Sequence, residues 1–213
     1  MSWSLGEIEG LARKAARGAG FDWGMAEEAG KAVRWLAGIG LPGPEVLDAY
    51  LRAYDRTPHA QMRPVDVTAQ VWTAAGGAVC PISAGAALCD IAQDAGLPAE
   101  IRIAHCAHPL LLVPFIAAAS EDGGHALHLI WEGGEFAFAA DIRGTARTPM
   151  APSGRPHILR AAAPDLPLPE CQLRYDLDPE PAARLTEFSR RTLAPETEAS
   201  RASGAGAGLN DND

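Results

Sequence analysis

Apolar residues recur at a helical period through the first third of the chain, and clusters of glycine and proline cut that period into pieces. Ser4 with Glu7 three residues on forms a capping box, and Ile8, Leu11, Ala12, Ala15 and Ala19 follow at helical spacing. Arg13, Lys14 and Arg17 take the opposite side, and Gly18 and Gly20 end the segment. Asp22 can cap a second helix with Met25, Ala29, Ala32, Val33 and Leu36 as its stripe; Gly38, Gly40, Pro42 and Gly43 stop it. A third helix is predicted over Pro44 to Tyr54, with Val46, Leu47, Tyr50 and Leu51 inward. Such a beginning folds as a layer of short helices that needs a second layer to cover its apolar side.

The rest of the chain supplies that layer. Val65, Val67, Ala69 and Val71 alternate with polar residues and predict a strand, broken by Gly76-Gly77. Pro81 to Ala95 reads as a helix and Glu100 to His105 as a strand, an order that permits a parallel crossover and an α/β alternative. Pro109 to Ala119 is apolar all round and reads as a buried helix. Ala126 to Trp131 and Glu135 to Asp141 flank Glu132-Gly133-Gly134, a hairpin signal. Strands are also expected at His157 to Ala161 and Cys171 to Tyr175, and a last helix over Pro179 to Arg191. The expected fold class is α+β, an N-terminal helical layer packed on a small mixed or antiparallel sheet. One domain is expected over residues 1–193, followed by a Gly-rich acidic tail over 194–213.

The 27 acidic against 18 basic side chains give a net charge of -9, which disfavours a nucleic-acid or anionic-membrane binder. No apolar run is long enough to span a bilayer. The start lacks the basic and apolar pattern of a secretory leader, so the expected location is the cytoplasm. Cys80, Cys89, Cys106 and Cys171 form no Cys-x-x-Cys pair, so structural zinc has no local signature.

Three groups of residues can carry chemistry. Glu27 and Lys31 stand one helical turn apart, with Arg34 on the same face and Trp23 beside it. In a cleft they make an acid–base pair with an aromatic platform; in the open they make a solvated ion-pair face. Gly24 and Gly30 are costly inside a helix and point to close packing. Cys80 precedes a helix at Pro81, where the helix dipole favours a thiolate nucleophile, with His105 or His108 as base. His105 and His108 can also turn toward one metal, although no third ligand is evident; the alternative is a pair of ordinary histidines near the end of a strand. In the tail, Gly204, Gly206 and Gly208 precede Asp211, Asn212 and Asp213, with Arg201 upstream as an anchor. That end can fold back on the chain, insert into a basic cleft of a partner, hold a hard cation, or serve as a solubilising end.

The segments Ala15 to Leu36 and Gly204 to Asp213, together with Cys80-Pro81 and the Pro109 to Phe115 run, resemble a bacterial family of about this length that is a domain of unknown function. The resemblance implies one bacterial domain and no particular activity, cofactor or catalytic residue. The functional expectation is a cytoplasmic, non-catalytic binding or accessory protein that acts with a metabolic enzyme through its acidic tail. The alternative is a small-molecule enzyme using the Glu27–Lys31 pair or a metal at His105 and His108. Substrate, cofactor and oligomeric state stay open at this stage.

Overall fold

The computed structural model describes residues 2–94, 97–139, 141–147, 151–161 and 165–193. The chain runs β1 (Ser2–Ser4), α1 (Leu5–Gly18), α2 (Trp23–Gly38), α3 (Gly43–Tyr54) and α4 (His59–Met62). It continues through β2 (Val71–Trp72), α5 (Pro81–Asp94), β3 (Glu100–Ile103), β4 (Cys106–Ala107), a 3-10 turn (Pro109–Leu112) and α6 (Val113–Gly123). The final part holds β5 (Leu127–Trp131), β6 (Gly134–Phe138), β7 (Ile142–Ala146), β8 (Ser153–Gly154), β9 (His157–Leu159), β10 (Arg174–Asp176) and α7 (Pro179–Arg190).

The protein is α+β, with its helical layer at the N-terminus and a mixed sheet beyond it. The capping box at Ser4 forms as expected: Glu7 N–H donates to Ser4 Oγ at 3.2 Å, and Ser4 N–H donates back to Glu7 Oε2 at 2.8 Å. α1 packs on α2 and α7, α2 reaches α5 and α6, and α6 lies on β5 and β6. The main sheet has strand order β2-β3-β9-β5-β6-β7. β2 and β3 are parallel, joined by the crossover through α5, and the other neighbours are antiparallel. Leu127, Leu129, Phe136, Phe138, Ile101 and Ile158 fill one face of this sheet and are buried.

Gly30 is where α1 and α2 come closest. A Cβ there would lie 3.0 Å from the Glu9 carbonyl oxygen and 3.1 Å from Arg13 Cβ. Gly24 meets only Asp22 Oδ1, at 3.6 Å, so close packing explains one of the two helical glycines.

The strand expected from Val65 to Val71 is corrected to Val71–Trp72. Asp66 Oδ1 accepts from both the backbone N–H of Thr68 (2.8 Å) and its hydroxyl (2.6 Å). That local turn takes the backbone out of a ladder despite the alternating pattern. The strand near Cys171 is shifted to Arg174–Asp176, where it pairs with Ser2–Ser4 at the other end of the chain. β1 and β7 were not expected. β1 needs a partner far along the sequence, and β7 is poor in apolar residues.

Candidate functional site

Asp22 caps α2, its Oδ1 accepting the Met25 N–H at 2.8 Å. Trp23 follows, 62% exposed, with the Arg17 guanidinium 5.0 Å from its ring centroid. Glu27 is exposed. Lys31 does not pair with it: Lys31 Nζ donates to Glu28 Oε1 at 2.7 Å. That bond, first among the causes, raises the Lys31 pKa above its ordinary value, so the amine is a fixed cation at neutral pH. Arg34 crosses to α1 and donates to Glu9 Oε2 at 2.9 Å.

Between these helices runs an open groove of about 430 Å³, lined by Leu5, Glu9, Lys31, Arg34, Trp35 and the turn at Gly38–Ile39. Two cations, each tethered to a carboxylate, flank an indole and two aliphatic side chains. Such a surface can receive an apolar residue next to acidic ones. The groove is open to solvent, and Glu27 stands outside its lining.

Cys80, Cys106 and His108 come together elsewhere, beneath α3. Val79 bridges Cys106 in parallel, and the Cys80 carbonyl accepts the Ala84 N–H at 3.0 Å as α5 begins. Both thiols are fully buried. Burial pushes the Cys106 thiol well up, and it raises the hydroxyl of neighbouring Tyr50, which donates to Met62 Sδ at 3.7 Å. His108 lies edge-on to Tyr50, with ring centroids 6.1 Å apart. It is 5% exposed, and its Nδ1 has no hydrogen-bond partner. Its φ of 44° places it in the left-handed region directly before Pro109. Burial, and then the charge of Arg52, push its pKa down to about 4. His105 is exposed, on the far side of the two-residue β4, so the two imidazoles occupy different environments. Among the described residues no three His, Cys, Asp or Glu side chains stand close enough to hold a metal. Arg201, Asp211, Asn212 and Asp213 lie outside the described residues.

Two carboxylate–imidazole pairs escaped the sequence reading. His157 Nε2 lies 2.6 Å from Glu100 Oε1, and His128 Nε2 lies 2.8 Å from Glu135 Oε1. They sit on the sheet face opposite the core, on β3, β9, β5 and β6. Their signal was the period of two in each strand, which places the four residues on one face only once the register is known.

Residues 3–80 match a family described as a protein of unknown function (DUF3726), so the resemblance read from the sequence holds over the helical layer that carries the groove. No curated protein matches the chain.

Proposed function

We propose that this chain is a non-catalytic binding protein, acting in the bacterial cytoplasm with a metabolic enzyme as its partner. The α1–α2 groove is one contact and the acidic Gly-rich tail the other. The observation that carries the reading is the pairing of Lys31 and Arg34 as permanent cations beside Trp35, on a chain that is otherwise strongly acidic. Two cations beside an indole, on an otherwise negative chain, give an acidic partner segment one place to dock, in exchange for the carboxylates of Glu28 and Glu9. The tail supplies the converse chemistry, with Asp211 and Asp213 suited to a basic cleft.

The sealing of Cys80, Cys106 and His108 supports the same reading, since a nucleophile must meet its substrate. The acid–base alternative at Glu27 and Lys31 gains no enclosed reacting site from this geometry.

The test removes Gly204 to Asp213 from the full chain and compares stoichiometric partner recovery with the intact protein. The expected result is loss of one specific partner from a protein whose melting temperature is unchanged. An unchanged partner set, or turnover of a small molecule by the purified chain, overturns the reading.

A further inference from the structure

The chain runs on for 20 residues past Leu193, and among them stands Leu209-Asn210-Asp211-Asn212-Asp213. In an extended backbone side chains alternate, so Leu209, Asp211 and Asp213 share one face and the two asparagines take the other. That face presents one apolar side chain and two carboxylates over about 13 Å.

The α1–α2 groove carries the complement over the same length. Its apolar end is made by Leu5, Trp35 and Ile39 around Gly38, where a Cβ would sit 3.4 Å from Leu5 Cδ1. Its cationic end is made by Lys31 and Arg34. The axis of α2 advances about 12 Å from Lys31 to Ile39. Lys31 and Arg34 are neighbours one turn apart, roughly 5–6 Å, close to the step of about 7 Å between alternate residues of a strand. Their present partners, Glu28 and Glu9, form surface pairs of small worth, so Asp211 and Asp213 can enter by exchange. Chain length permits the meeting. Phe188 and Arg191, at the end of α7, lie against Gly18 at the end of α1, and Leu5 is about 20 Å away at the other end of that helix. The 16 steps from Leu193 to Leu209 reach roughly 50 Å when extended. A tethered segment meets its site at about millimolar effective concentration, so a contact too weak to hold a free peptide holds in cis.

We propose that the α1–α2 groove binds the chain's own segment from Leu209 to Asp213, with Leu209 on Leu5, Trp35 and Ile39 and with Asp211 and Asp213 on Lys31 and Arg34. This rests on the groove being a seat for acidic segments, as proposed above, and adds that the two contacts offered to a partner cover each other in the free chain. The partner's acidic segment takes the groove by displacing the tail, and the tail is then released to the partner's basic cleft.

The test treats the full chain with a water-soluble carbodiimide, which joins a carboxylate to an amine it touches, and maps the links by mass spectrometry. Lys14 and Lys31 are the only lysines in the sequence, which makes the map simple. Lys31 is expected to link to Asp211 or Asp213 as well as to Glu28, at a yield independent of protein concentration, while Lys14 links to neither aspartate. In a mixture of unlabelled and nitrogen-15-labelled chains the links are expected within single chains. A fluorescent peptide with the sequence of residues 204–213 is then titrated into the full chain and into the full chain carrying Leu209→Ser, Asp211→Asn and Asp213→Asn. The variant is expected to bind the peptide about fivefold tighter or more, because its groove is not covered in cis. The proposal is overturned by Lys31 linking to Glu28 alone, by tail links as frequent at Lys14 as at Lys31, or by links between chains, which place the tail on a second copy. It is equally overturned by a variant that shows no saturable binding of the peptide, or no tighter binding than the unchanged chain. Lys31–tail links with no partner lost on removal of the tail would refute the partner reading alone, and a lost partner without those links would refute this inference alone.

Discussion

Lys31 takes Glu28 rather than Glu27, and that choice decides what the lysine can do. Positions three and four residues back are both within its reach. Glu28 is the half-buried one, so the pair forms where water competes less. The residue types of this face were legible in the sequence; the partner was not, because it depends on which flank meets α1. Arg34 to Glu9 and His157 to Glu100 are further cases in which the partner lies on another element. Buried Asp48 is another: at 1% exposure it receives Arg184 Nε at 2.8 Å across 136 positions of sequence. Arg184→Met is expected to cost about 3 kcal/mol in urea unfolding, because it takes the main partner from the buried Asp48 carboxylate, and Arg184→Met with Asp48→Ala markedly less, because the double change leaves no buried charge unpaired. His108 makes stability depend on pH. In the unfolded chain it ionises near 6.5, in the fold only near about 4. As pH falls, the unfolded chain takes up the proton first, so this contribution is complete above 6.5 and drains away between the two values. The drop reaches about 3 kcal/mol by the lower end. His108→Asn, which tolerates the left-handed backbone, is expected to flatten the slope of the urea midpoint between these limits.

At the scale of elements, local signals carried most of the helices and the hairpin. The capping box, the Asp22 cap and the glycine stops act within a few residues, so they read correctly without tertiary information. The segment after Pro64 misled because alternation is also what a turn with an Asp66–Thr68 bond looks like. β1 and β10 were illegible as a pair because each is three residues long and they join opposite ends of the chain. Glycines separate the two kinds of information. Gly24→Ala meets only Asp22 Oδ1, at an ordinary contact distance of 3.6 Å, and is expected to raise stability by roughly 0.5–1 kcal/mol through helix propensity. Gly85→Ala would place a methyl 2.3 Å from Phe115 Cγ, prising α5 from α6. It is expected to lower stability by about 1–3 kcal/mol despite the same propensity gain. Thermal melts of the two variants should move in opposite directions.

Across the whole molecule, the helical layer and the sheet divide the work. The sheet's inner face and α5–α6 make the core that seals the thiols and His108, while α1 and α2 turn a groove with two fixed cations outward. The two-layer arrangement could be read from periodicity, since an amphipathic helical layer has to be covered. The groove could not, because it exists only where α1 and α2 meet at the close approach of Gly30. Its charges are exposed, so partner affinity is expected to weaken as salt is raised from low to physiological ionic strength. The most direct measurement is the affinity of the recovered partner for the intact chain against Lys31→Glu/Arg34→Glu. An affinity loss of tenfold or more at unchanged melting temperature is the predicted result. Equal affinities for the two proteins would contradict the assignment of the α1–α2 groove as the binding face.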